Sequence, residues 1–201
     1  MKTTVVLATR NAHKLREIAE ILAEAPVVMR SLEDYPQIPE IAETAETFAG
    51  NALIKAREVF AQTGCWTLSD DSGLEVDALQ GAPGVYSARY AGEDKDPAAN
   101  NAKLLAALQE VPDAARGAQF RCVVAIKGPE VEKIVEGVVR GRIIRELRGS
   151  AGFGYDPLFI PEGFQETYAE LGEETKNRIS HRAIAFQTAA VELRRLLAPA
   201  G

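Results

Sequence analysis

Ser69-Asp70-Asp71-Ser72-Gly73 stands between the apolar run Cys65-Trp66-Thr67-Leu68 and the alternating Leu74-Glu75-Val76-Asp77. Read locally, it is the end of a β-strand breaking into a turn at Gly73. Side chains alternate faces along a strand, so Asp70 and Asp71 should point to opposite sides, one toward a cleft and the other bracing the loop. Adjacent carboxylates repel, and a divalent cation relieves that repulsion by favouring both ionised forms. The same pair also suits an acidic turn in water. Its neighbours along the chain weigh between the two.

Upstream, Thr3 to Ala8 is a β-rich run that passes through Thr9-Arg10-Asn11 into Leu15, Ile18, Ala19, Ile21 and Leu22 at helical spacing. Strand, polar loop and helix follow one another. Asn11 is placed to cap that helix, and with Thr9 and the backbone amides it would surround the positive end of the helix dipole, where phosphate binds. Lys14 lies one turn in. The loop lacks repeated glycines, so it is neither a Walker loop nor a dinucleotide fingerprint, and a capped surface helix with a solvated lysine remains an alternative. Val27-Val28-Met29 reads as a second strand. Thr44 or Thr47 then caps a helix through Phe48, Ala52, Val59 and Phe60, with Glu43 just before its start and Lys55 two turns in. Gly50 inside that helix costs roughly 1 kcal/mol against alanine, which calls for a close neighbour as compensation.

Downstream, Asp96-Pro97 opens a helix to about Gln109, and Gln119–Lys127 with Val131–Arg142 read as a hairpin around Gly128-Pro129-Glu130. Gly149-Ser150-Ala151-Gly152-Phe153-Gly154-Tyr155-Asp156-Pro157 sets glycines around two aromatics, which suits close approach and stacking of a planar base, or equally a turn with core aromatics. Ser180 caps a last helix, leaving His181 and Arg182 at its mouth and Lys176 just ahead.

Length and composition bound the function. At 201 residues, 46% hydrophobic and 26% charged, the chain is expected to form a single domain over residues 1–201. The net charge of −6 lacks the basic footprint of a nucleic-acid binder. Cys65 and Cys122, each in an expected strand, match no zinc spacing and read as reduced thiols. No stretch approaches transmembrane length and the N-terminal apolar run is too short for a signal peptide, so the expected location is cytoplasmic, away from any membrane.

Taken in order, Thr9-Arg10-Asn11-Ala12-His13-Lys14, Glu43 with Thr47-Phe48 and Asn51-Ala52 to Lys55-Ala56, Ser69-Asp70-Asp71-Ser72-Gly73, Gly81-Ala82-Pro83-Gly84, Phe153-Gly154-Tyr155-Asp156-Pro157 and Ser180-His181-Arg182 closely resemble the inosine triphosphate pyrophosphatase family. The resemblance implies an elongated α/β fold of two lobes around a long mixed twisted sheet flanked by helices, with the site in the cleft between the lobes. It implies a homodimer that hydrolyses the purine nucleoside triphosphates dITP, ITP and XTP to the monophosphate and pyrophosphate with Mg²⁺. Carried across, residues Thr9, Arg10, Asn11, Ala12, His13 and Lys14 with Lys55 form the triphosphate cradle, and Glu43 and Asp71 are the metal-side carboxylates. Asp71 is also the proton acceptor, Asp70 its support and Ser72 a substrate contact. Phe153, Gly154, Tyr155, Asp156, Lys176, His181 and Arg182 form the base pocket. Two departures stand out: Arg10 replaces a frequent glycine and is expected to crowd the phosphate loop, and Gly50 replaces a frequent glutamate.

Two other functions are compatible with the same acids. A phosphatase could use Asp70 or Asp71 as a covalent nucleophile at a strand end, as haloacid-dehalogenase-like proteins do. A nucleotide-binding regulator without turnover would gain little from acids beside phosphates.

Overall fold

The structure, a computed structural model, describes residues 3–22 and 27–198; within the first helix the side chains of residues 12, 13 and 17 lie outside the description. The elements are β1 (Thr3–Leu7), α1 (Ala12–Ile21), β2 (Val27–Ser31), α2 (Phe48–Thr63), β3 (Trp66–Val76), α3 (Pro97–Ala107), β4 (Gly117–Lys127), β5 (Glu132–Ile143), β6 (Phe159–Pro161), α4 (Tyr168–Ile179) and α5 (His181–Leu197). They build one mixed sheet in the order β2-β1-β3-β4-β5-β6, with β1 parallel to β2 and β3, and β5 antiparallel to β6. The chain is α/β, and it divides into two compact units, residues 1–71 with 122–137 and 182–201, and residues 72–121 with 138–181. β3, β4 and β5 each contribute residues to both.

In the first unit helices cover both faces of the sheet, and β1 shows how. Its alternate residues Val5 and Leu7 join a core with Ile18 and Leu22 of α1 and with Ala185, Phe186, Ala189 and Leu193 of α5. Val6 and Ala8 point the other way, to Leu32, Ile38 and Val59 of α2. Ala52 and Ala56 of α2 pack on Ala125 of β4, small residues that let helix and strand approach closely. The cover explains why β4 is buried without a break from Cys122 to Ile126 yet alternates before that point.

The second unit packs α3 and α4 on its part of the sheet, through Leu104, Leu108 and Tyr168 against Leu74, Val76, Phe120, Ile143 and Phe159. Arg116, 2% exposed, gives its guanidinium to the carbonyls of Leu108, Ile143 and Ile144 at 2.7, 2.9 and 3.0 Å. Backbone acceptors thus satisfy a buried cation and close the end of α3.

Three expectations are corrected. β3 does not turn at Gly73: it lies between β1 and β4, its alternation continues through Leu74 and Val76 into the second core, and the chain turns only in the short 3-10 helix Asp77–Leu79. Cys65 sits in the bend before β3, after the left-handed C-cap Gly64, while Cys122 is within β4; both are free thiols. A helix with no counterpart in the sequence reading, α4, fills residues 168–179 behind a capping box of Thr167 and Glu170.

Gly50 has its compensation. A Cβ there would stand 2.5 Å from the Cβ of Ala45 and 3.1 Å from Oγ1 of the helix cap Thr47. Gly50→Ala, which in an open helix would add roughly 1 kcal/mol of stability, is expected to remove about 1–3 kcal/mol here, because Ala45 has no flexible end to move aside. Urea denaturation of the two proteins checks the sign.

Candidate active site

In the first unit the polar groups converge on the first half of β3. Thr9 follows β1 directly; its Oγ1 accepts from the Asn11 amide at 3.1 Å, and Asn11 Oδ1 in turn accepts from the Lys14 amide at 3.2 Å, capping α1. That leaves Lys14 one turn into the helix, its Nζ 2.8 Å from Asp70 Oδ2. Arg182, at the start of α5, places Nε 3.9 Å from the same oxygen. Lys55 of α2 donates to the main-chain carbonyl of Asp70 at 2.7 Å and to Glu43. Burial alone would push Asp70 up, but Lys14, Arg182 and Lys55 together hold it far below the usual carboxylate range.

Asp71 meets a different set. Its Oδ2 accepts from Asn51 Nδ2 at 3.0 Å, and Asn51 Oδ1 accepts from the Ala45 amide at 2.9 Å, fixing the segment next to Glu43. Burial pushes the Asp71 carboxyl up to about 6; Lys55 pulls it down and Glu43 adds to the rise. Lys55, itself buried, stays protonated because Asp70, Asp71 and Glu43 outweigh its desolvation. Neighbouring residues of one strand thus have opposite electrostatic fates, as alternation of faces predicts.

Asn51 is a residue the sequence reading quoted inside a motif but gave no role. It is fully buried and precedes Lys55 by four residues, so both lie on one face of α2. That spacing is the signal that marks it.

Glu43 and Asp71 offer oxygen donors only. A pair of acids near enough to raise one of them fits a hard divalent cation, and Mg²⁺ keeps several waters, so two carboxylates suffice. Among the described residues no group of three or more His, Cys, Asp and Glu side chains gathers as a metal cage.

The remaining residues of the sequence reading are placed as follows. The guanidinium of exposed Arg10 donates to the Ile38 carbonyl, which carries its head to the 38 loop. The side chains of Ala12 and His13 lie outside the described residues. Ser72 is half-buried in β3, within the second unit. That unit also holds Phe153, Gly154, Tyr155, Asp156, Lys176 and His181. Asp156 is buried and accepts from the Phe153 amide at 2.8 Å and from Lys176 at 2.7 Å, and Lys176 Nζ stands 4.2 Å from the Phe153 ring centre. Gly152 permits this: its φ is +77°, and a Cβ would lie 2.2 Å from Asp156 Oδ2. The Tyr155 hydroxyl donates to the Ser87 carbonyl at 2.8 Å. The His181 ring stacks on Phe120, centroids 4.8 Å apart and planes 11° from parallel. Arg182 alone of the residues assigned to the base belongs to the first unit, beside Asp70.

The family model described as "Ham1 family" matches residues 5–191. The chain belongs to the Ham1 family. Its Ham1 relatives include a protein of Desulforamulus reducens named dITP/XTP pyrophosphatase, 51% identical over 96% of each chain. A Geobacter sulfurreducens protein of the same name is 51% identical over 92% of this chain and 93% of its own. Among solved structures, a HAM1 protein from Coxiella burnetii superposes with a TM-score of 0.89 at 42% identity, covering 96% of this chain and 99% of that one. The dITP/XTP pyrophosphatase from Mycobacterium abscessus gives 0.77 at 46% identity, covering 98% and 100%.

The two aspartates should differ in what they do for stability. Asp70→Asn strips the counter-charge from Lys14 and Arg182 and is expected to cost about 3 kcal/mol. Asp71→Asn keeps the shape and removes a charge that folding disfavours, so without divalent cations at pH 7.5 it should be neutral or stabilising. Because the folded protein holds the Asp71 proton more tightly than the unfolded chain, stability present below pH 4 is lost as the pH rises through about 6. The advantage of Asp71→Asn should therefore vanish near pH 4, and urea titrations of both variants at the two pH values measure it.

Proposed function

We propose that this Ham1-family protein is a nucleoside triphosphate pyrophosphatase that hydrolyses dITP, ITP and XTP between the α and β phosphates, releasing the monophosphate and pyrophosphate. The observation that carries the reading is the division of partners at β3: Asp70 is tied to Lys14, Arg182 and Lys55, while Asp71, held by Asn51, faces the Glu43 side. Lys14 and Lys55 are cations already in place for the charge of a triphosphate and of the pyrophosphate leaving group. The amides at the start of α1 add a dipole of the same sign. Asp71 takes the proton of the attacking water as its oxygen bonds to the α phosphorus and the bond to the bridging oxygen breaks. Mg²⁺ held by Glu43 and Asp71 would supply charge neutralisation at the phosphates and orient the water. No covalent intermediate is needed, and Asp70, locked in its ion pairs, is a poor nucleophile.

The second unit supplies what a purine needs: the Phe153 ring for stacking, and Lys176 and His181 as donors. Hypoxanthine and xanthine carry an acceptor oxygen at position six where adenine carries an amino donor. A donor left facing that amino group costs on the order of 1–3 kcal/mol, which is the basis for rejecting adenine. The family resemblance also supports a cytoplasmic homodimer.

Incubation of dITP with the protein and Mg²⁺ should release pyrophosphate and dIMP, with Asp71→Asn lowering kcat by about three orders of magnitude or more while nucleotide still binds. Stepwise release of orthophosphate would favour the covalent phosphatase instead. Coupled pyrophosphate and orthophosphate assays, with calorimetry for binding, tell these apart.

A further inference from the structure

Within the second unit α3 carries two adjacent asparagines that serve different loops. Asn100 is satisfied at both ends of its amide: Oδ1 accepts from the Ala91 amide at 2.6 Å and Nδ2 donates to the Ala88 carbonyl at 3.0 Å, tying residues 88–91 to the helix. Asn101 donates from Nδ2 to the Gly154 carbonyl at 3.0 Å, in the loop between Phe153 and Asp156. The two are equally hidden, at 5% and 6% exposure, but Asn101 Oδ1 has no hydrogen-bond partner among the described residues. A buried acceptor without a donor costs stability, so packing alone would be better served by an apolar residue. Turning the amide over would set oxygen against the Gly154 oxygen, so the single bond to the loop fixes its orientation.

The Gly154 carbonyl is a sensitive point of attachment. Gly154 adopts a φ of +61°, and its neighbours are already pinned: Tyr155 through Ser87, Asp156 through the Phe153 amide and Lys176. The carbonyl is a further main-chain group by which the loop is held, beside the Asp156 amide on the Phe153 carbonyl at 3.2 Å.

We infer that Asn101 is a positioning residue for base selectivity: by holding the Gly154 carbonyl it sets the tilt of the Phe153–Asp156 loop, whereas Asn100 serves the fold alone. The inference rests on the reading that Phe153 to Asp156 face the base.

Asn101→Ala and Asn100→Ala in the full-length protein separate these roles, with kcat/KM for ITP, ATP and GTP and the Tm as readouts. Asn101→Ala should lower the ITP to ATP and ITP to GTP ratios by about tenfold or more, while Tm moves by no more than about 2 °C. Asn100→Ala should leave both ratios within about twofold and lower Tm by about 4 °C or more. Asn101→Ser, polar but too short to reach Gly154, should repeat the alanine result and serves if that variant does not fold. Unchanged ratios in the Asn101 variants, or an equal shift in Asn100→Ala, overturn the inference. Phe153→Ala is the control for its premise: if that variant also keeps the ratios, the base-pocket reading itself falls. If Phe153→Ala lowers them and Asn101→Ala does not, the role of Asn101 alone is refuted.

Discussion

A carboxylate taken out of water is tolerated where cations close on it, and Asp70 at 3% exposure gathers Lys14 and Arg182 on one oxygen while its main-chain carbonyl takes Lys55. Three helices, α1, α2 and α5, are thereby tied to the middle of the sheet by charge as well as by packing. The arrangement sets the lysines in advance of any substrate. On the proposed reading, two long side chains that would otherwise lose rotamer freedom on meeting a phosphate have already lost it during folding. On that reading an arriving triphosphate competes with Asp70 for Lys14 and with Glu43 for Lys55.

Asp71 shows the complementary choice. It is nearly as hidden as Asp70, yet its direct donor is the neutral amide of Asn51. Burial raises that carboxyl, and the Asn51 amide, which fixes its geometry, lowers it only in part; an arginine in place of Asn51 would hold Asp71 ionised and weaken it in the proton-accepting role proposed for it. Asn51 also holds the Ala45 amide, so one buried side chain sets the spacing between Asp71 and the segment that carries Glu43.

Much of this was legible locally, and the remainder lay in long-range contacts. The caps at Asn11, Thr47 and Asp96 and the helices behind them follow from spacing and cap chemistry. The strand through Gly73 did not, because a glycine between polar residues looks like a turn until β1 and β4 are known to flank it. α4 was overlooked although Thr167 and Glu170 carry a capping-box signal, since Gly172, at φ +76°, interrupts its apolar period. The pairing of Lys14 with Asp70 spans 56 residues and that of Asp70 with Arg182 twice as far, so no local pattern announces either; only the ordered motifs of a family do. Motif order groups Arg182 with His181; in the structure the His181 ring stacks on Phe120 and Arg182 Nε lies 3.9 Å from Asp70 Oδ2.

On the base-pocket reading proposed above, rigidity in the second unit bears directly on discrimination. Lys176 is 3% exposed, locked to Asp156 and set over the Phe153 ring, so it cannot swing away from a base that offers it the wrong partner. A solvent-exposed lysine would simply rotate into water, and the mismatch would cost almost nothing. Discrimination of about 1–3 kcal/mol for each mismatched polar group is available only where the donor cannot turn to water and the loop cannot yield. The glycine at 152, which admits the Asp156 carboxylate to the Phe153 amide, is therefore as much a part of selectivity as the donors, because any larger residue there would dislodge the acid that holds Lys176 in place.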